Sequence, residues 1–229
     1  MNSPLFFSLL IAHVVGDFYL QNNRMCADKM ERNVGGWALY VHCLLIGIVS
    51  WLAVFSWDAW PIILMIVLSH FLIDALKPVA EKMFPRHELS VFVTDQILHI
   101  AVILTLAFVY GNYKCVPIGL VPDNYPMILL AFLIGIKPAN ILIKLTLKSY
   151  NVDVPTENND IKNAGGLIGS LERILTIILV ILGQYEAIGF IIAAKSILRF
   201  KDTDTAKTEY VLTGTLLSFG IAMLCGLMV

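Results

Sequence analysis

The chain has 229 residues and a formal net charge of −1; 58% of its residues are hydrophobic and only 14% are charged. A soluble domain carries about 25% charged residues, so this composition, with a mean hydropathy of +0.79, excludes an ordinary water-soluble globule. It holds no basic block of the kind that binds nucleic acid, and Cys26, Cys43, Cys115 and Cys225 lack the spacing of a disulfide framework or a thiolate metal site.

A helix needs about 20 mostly apolar residues to cross the hydrocarbon core. In chain order, eight stretches read as spans: roughly 3–21, 37–56, 60–77, 89–111, 125–147, 164–183, 186–200 and 209–228. The first, opening MNSPLFFSLLIAHVVGDFYLQ, lacks a basic leader and a small-residue cleavage site and reads as a retained span. The seventh is short, fitting a tilted or re-entrant segment. The connectors are short and polar. The expected fold is therefore all-α, a single polytopic membrane domain over 1–229 with about eight transmembrane helices, four in 1–111 and four in 125–229.

Basic residues orient the spans, because Lys and Arg concentrate in cytoplasmic loops. Alternate connectors carry Arg24, Lys29 and Arg32, then Lys77, Lys82 and Arg86, then Lys148 and Lys162, then Arg199, Lys201 and Lys207; the other set holds Lys114 alone. Both termini are expected outside the cytoplasm.

That orientation gives the intramembrane polar residues a depth. Span 1 carries His13 and Asp17, span 2 His42, span 3 His70 and Asp74, and span 4 Asp95 and His99. Residues four apart on a helix stand side by side, with β-carbons about 5–6 Å apart. Six residues of helix rise about 9 Å, so all seven side chains share one layer in the cytoplasmic half. An ionisable group at a helix centre costs about 2.5–3.5 kcal/mol on insertion scales and faces a bundle interior or a wet cavity. A divalent cation is the shared counter-charge that would hold such a layer. Imidazole with carboxylate suits zinc best, and also manganese or iron(II), and helix bundles build such sites inward from several helices. His13, Asp17, His42, His70, Asp74, Asp95 and His99 are the candidate ligands. Those in excess of four-coordinate zinc would orient the others or hold a second ion. A proton or ion relay and simple polar packing are the competing explanations. His87, in a basic loop, reads as surface.

The second half supplies cations. Glu172 and Arg173 lie in GGLIGSLERIL, and Lys195 and Arg199 in AAKSILRF. Snorkelling of Arg199 to the interface competes with a role for Arg173, Lys195, Arg199 and Glu172 in cradling an anionic headgroup. In the last span, Gly214, Ser218, Ala222 and Gly226 recur every four residues, as a close helix packing face requires.

The run from His13 to Gln21, the run from His70 to Lys77, Asp95-Gln96-x2-His99, GGLIGSLERIL and AAKSILRF…EYVLTGTLLS resemble the bacterial membrane family catalogued as domain of unknown function 3307. The resemblance covers nearly the whole chain. It implies a bacterial inner-membrane protein and brings no assigned reaction. The His/Asp pattern is more loosely similar to that of membrane-bound metal-dependent hydrolases.

Together these features lead us to expect metal-assisted hydrolysis of an anionic, lipid-linked ester or phosphoester. His13, His70 and His99 with one or more of Asp17, Asp74 and Asp95 would be ligands, and an unligated Asp would act as base. A divalent-metal or proton-coupled transporter and a non-catalytic membrane partner are the rival classes.

Overall fold

The computed structural model describes residues 3–110, 124–150, 164–199 and 205–229. Among the described residues the regular structure is helical. In chain order the helices are α1 (Ser3–Val14), α2 (Asn23–Arg32), α3 (Ala38–Val54), α4 (Trp60–Met83), α5 (Glu88–Val109), α6 (Tyr125–Ser149), α7 (Ala164–Ile181), α8 (Tyr185–Arg199) and α9 (Thr205–Leu227). Each of the eight apolar stretches thus becomes a helix, and the fold is that of a polytopic helical membrane protein. Their lengths differ from the expectation. Among the described residues four helices are long and apolar enough to cross a membrane, at Trp57–Met83, Glu88–Val109, Tyr125–Ser149 and Tyr210–Leu227. A fifth follows if Pro4–Leu20 and Asn23–Gly35, bent by 91° at a short break, count as one broken span. α3 stops at 17 residues, short of the full hydrocarbon thickness if upright, while α8, at 15 residues, is the short seventh stretch expected from the sequence.

The ninth helix, α2, occupies what reads in sequence as a polar connector. Asn22 caps its start by accepting from the Met25 backbone N–H at 3.0 Å, the ordinary work of an N-cap amide. Before it, α1 runs into a wider π turn over Val15–Leu20, closed by the Gln21 N–H donating to the Gly16 carbonyl at 3.2 Å. Such turns insert a residue into the helical repeat and recur at functional sites. Gly16 is what lets this turn approach α3: a β-carbon there would collide with Ile46 Cδ1, which is itself fully buried.

The chain forms two compact units, Met1–Met127 and Ile128–Val229, divided within α6. In the first, α1 packs on α3, α3 on α4, α4 on α5 and α5 on α1, a closed ring of four helices, and α2 packs against α3 and α4. α4 shows how this ring is built. Ile62, Ile66, His70, Asp74 and Pro78 recur every four residues and are buried. Leu64, Leu68, Leu72 and Leu76 recur at the same spacing and are exposed. Leucine outward and histidine or aspartate inward is the arrangement a lipid solvent selects, because only the bundle interior can satisfy polar groups.

In the second unit α7 packs on α8 and α9. Ala131, Ile177, Ala222 and Cys225 form one core cluster, and Val180, Ile188 and Phe219 another. The small-residue face of α9 packs as expected: a β-carbon on Gly226 would fall 2.6 Å from Val180 Cβ.

Candidate metal centre

All seven ligand-type residues meet inside the four-helix ring of the first unit. Three atoms form its tightest part. Asp17 Oδ1 lies 3.2 Å from His42 Nε2 and 3.2 Å from His70 Nε2, and the two nitrogens are 2.9 Å apart. Asp74 Oδ2 stands 3.4 Å from His42 Nε2 and 3.9 Å from His70 Nε2. Ligands held at zinc's usual distances in a tetrahedral shell stand about 3.3–3.6 Å from one another. Three ligand-type atoms, each about 3 Å from the other two, are therefore close to the edges of a coordination polyhedron.

Hydrogen bonding accounts for part of this contact, since His42 Nε2 and His70 Nε2 share an N–H···N bond at 2.9 Å. Two nitrogens and one carboxylate oxygen can share at most the protons the two imidazoles carry, and Asp17 Oδ1 is buried without a well-directed donor. His42 is fully buried and its Nδ1 lacks a partner.

Around this core the other groups are held in place. Gln96 links three of them, with its Nε2 donating to Asp95 Oδ2 at 3.1 Å and to Asp17 Oδ2 at 3.5 Å. That orientation turns Gln96 Oε1 to His13 Nε2, 3.2 Å away, so the network assigns the proton to Nε2. His13 Nδ1 is left as a buried lone pair 3.8 Å from Asp17 Oδ1. His99 Nδ1 donates to the Asp95 carbonyl at 2.8 Å, leaving Nε2 a lone pair without a partner. The His99 ring stacks on His13 with centroids 4.9 Å apart, and its centroid is 4.2 Å from that of His70. A cavity of about 10 Å³ adjoins His13, His70 and His99 between Leu9, Ile46, Ile66, Ser69, Val102 and Ile103. That is room for about one water.

Among the described residues, three further overlapping groups place ligand-type atoms within 4.8 Å of one another: His13, Asp17 and His70; His42, His70 and Asp74; Asp74, Asp95 and His99. Lysines distinguish among them. Lys29 Nζ donates to Asp74 Oδ2 at 2.6 Å and Lys77 Nζ to Asp95 Oδ2 at 2.8 Å. Two of the three carboxylates thus have an ammonium partner, whereas Asp17 is faced by imidazoles and the Gln96 amide. The lysines thus supply a counter-charge for Asp74 and Asp95 that the sequence reading assigns to a shared cation.

Lys29 and Gln96 are functional candidates that the sequence reading missed. Lys29 sits in a charged connector, where it scores as an ordinary cytoplasmic lysine. Its signal is that Met25 and Lys29, four apart, form the buried face of the amphipathic helix α2. Gln96 is a polar amide within an apolar span, which is itself a cost that demands partners.

The family model described as "Protein of unknown function (DUF3307)" matches residues 5–118. Over those residues the chain belongs to this family. The family segment contains all seven ligand-type residues with Lys29, Lys77 and Gln96; GGLIGSLERIL and AAKSILRF lie beyond its end. No curated protein and no solved structure matches the chain.

Arg173 and Lys195 of the second unit have partners of their own. Arg173 is 1% exposed. Its Nε donates to the Gly135 carbonyl, Nη1 to Ser218 Oγ at 2.9 Å, and Nη2 to Asn140 Oδ1 at 2.5 Å, with longer approaches to the Ile136 carbonyl and Ser170 Oγ at 3.3 Å. A planar fork satisfied this way ties α6, α7 and α9 together. Lys195 Nζ pairs with Glu172 Oε2 at 2.6 Å, partly exposed. The side chain of Arg199 lies outside the described residues, as do Lys114 and Lys162. His87 is exposed.

Proposed function

We propose that the first unit holds one divalent cation, zinc by its donor set, on Asp17, His42 and His70. On this reading the protein is a metal-dependent hydrolase of a lipid-linked ester or phosphoester in the bacterial inner membrane, with both termini outside the cytoplasm. The observation that carries the proposal is the triangle of Asp17 Oδ1, His42 Nε2 and His70 Nε2, with edges of 3.2, 3.2 and 2.9 Å. Mixed imidazole and carboxylate donors also accept manganese or iron(II). A cation there would supply an activated water near neutral pH and polarise the bond under attack.

The chain's own groups provide the rest. His13 is set to take a proton, because Gln96 fixes its Nε2–H and leaves Nδ1 as a lone pair facing the cluster. Asp74 and Asp95, each engaged by a lysine, help hold the charge balance of the site in place of the base role expected from sequence. Anion binding by Lys195 with Glu172 and Arg199 remains a separate proposal for the second unit; Arg173 already has acceptors for each of its nitrogens.

One observation favours transport of a divalent metal or protons as a second reading. His13, His42, His70 and His99 are all buried, and the adjoining cavity takes about one water, whereas small-molecule pockets are about 300–1,000 Å³. Lipid mass spectrometry on deletion and overexpression strains, beside ion flux in proteoliposomes, separates the two. Hydrolysis predicts a lipid species that accumulates on deletion and falls on overexpression. An unchanged lipidome together with ion flux abolished by His70→Ala would replace hydrolysis by transport.

A further inference from the structure

Helix α2 is fastened over the site at three points. Asp28 Oδ2 accepts from the Ala38 N–H at the start of α3, at 3.0 Å. Asn33 Nδ2 donates to the Ala75 carbonyl of α4, at 3.0 Å. Between them Lys29 Nζ reaches Asp74 Oδ2, at 2.6 Å. Lys29 is only 7% exposed, and a lysine so buried is rare unless paired. The oxygen it holds is the one that stands 3.4 and 3.9 Å from the two Nε2 atoms of the triangle. Asp74 Oδ2 therefore stands beside two of the three triangle atoms and is occupied by an ammonium group delivered from a different helix.

We propose that Lys29 acts as a resident cation on Asp74, withholding that carboxylate from the metal and setting the affinity of the centre. The inference rests on the metal-centre reading above. Lys29 is a positioning residue. It lowers the negative charge the incoming ion meets and blocks an oxygen that stands within 4 Å of both His42 Nε2 and His70 Nε2. Charge and geometry act in the same direction. Removing the ammonium should therefore tighten metal binding, whereas losing a merely structural anchor would loosen it.

The test is zinc titration of the full chain in detergent against a competing chelator. Lys29→Met should bind zinc about 10- to 100-fold more tightly than the native chain, the range by which groups bordering metal ligands alter affinity. Lys29→Arg, which keeps the cation, should stay near native. Lys29→Gln, neutral but able to hydrogen-bond Asp74, should fall between and serves if the methionine variant does not fold. Equal or weaker binding in the neutral variants, with native binding intact, overturns the role of Lys29 and leaves the metal centre standing. Zinc bound by Lys29→Met but not by the native chain supports the role of Lys29 and removes the native metal centre. No zinc on any of the four chains overturns both.

Discussion

Replacing Asp17 by Asn removes one negative charge while keeping the shape of the side chain. In the metal-free protein that charge has no ammonium partner, and its Oδ1 sits buried against two imidazole nitrogens. Asn should therefore change metal-free stability little, since the charge it removes is desolvated but also faced by imidazoles and the Gln96 amide. With metal present the loss is larger. Breaking a buried charge pair by removing one partner costs about 3–5 kcal/mol, which corresponds to an affinity loss of roughly two to three and a half decades. At a zinc concentration one hundred times the native Kd, binding adds about 2.7 kcal/mol. For a chain of this size that is about 5–11 °C in Tm. A hundredfold weaker Asp17→Asn chain at the same zinc keeps only about 0.4 kcal/mol, or about 1–2 °C. Thermal unfolding in detergent, with and without zinc, reads both halves. A full zinc-dependent shift in Asp17→Asn would refute the assignment of Asp17 as the charged ligand.

Gly16→Ala should destabilise the chain by about 1–3 kcal/mol, the cost of overpacking a filled interior, because its β-carbon meets the buried Ile46 Cδ1. Ile46→Val, which deletes that methyl group, should recover most of the loss in denaturant titrations; no recovery would mean that the contact is not the cause. Arg173→Ala should cost about 1.5–3 kcal/mol through the loss of charge-assisted hydrogen bonds and leave zinc affinity unchanged. Arg173→Lys should not restore stability, since an ammonium cannot reproduce the fork. Reporter fusions after Val229 should read outside the cytoplasm and fusions within 22–36 inside; a cytoplasmic C-terminus would contradict the orientation.

The sequence exposed the membrane class, the helices and the residues of the cluster, because lipid forbids buried charge without a purpose and seven such groups stood out against apolar spans. Spacing of four put His13 beside Asp17, His70 beside Asp74 and Asp95 beside His99, and these pairs do stand 3.8, 3.9 and 3.9 Å apart. The shorter contacts run between helices, from Asp17 to His42 and His70, from Lys29 to Asp74 and from Lys77 to Asp95. Helical periodicity chooses a face, and only packing chooses the partner across it. The π turn at Val15–Leu20 and the fold-back of α2 were equally hidden. Both depend on Gly16 lying against Ile46 and on side chains of α2 bonding to α3 and α4, contacts that no local pattern encodes.

The measurement closest to the central claim is elemental analysis of the native chain purified from membranes without chelator, beside the His42→Ala/His70→Ala double variant. Two of the three atoms of the triangle belong to those histidines, so the native chain should carry about one first-row divalent ion, as a mononuclear His/Asp site holds, and the double variant none. A native chain free of metal, or a double variant carrying as much metal as the native chain, would contradict a metal centre on Asp17, His42 and His70.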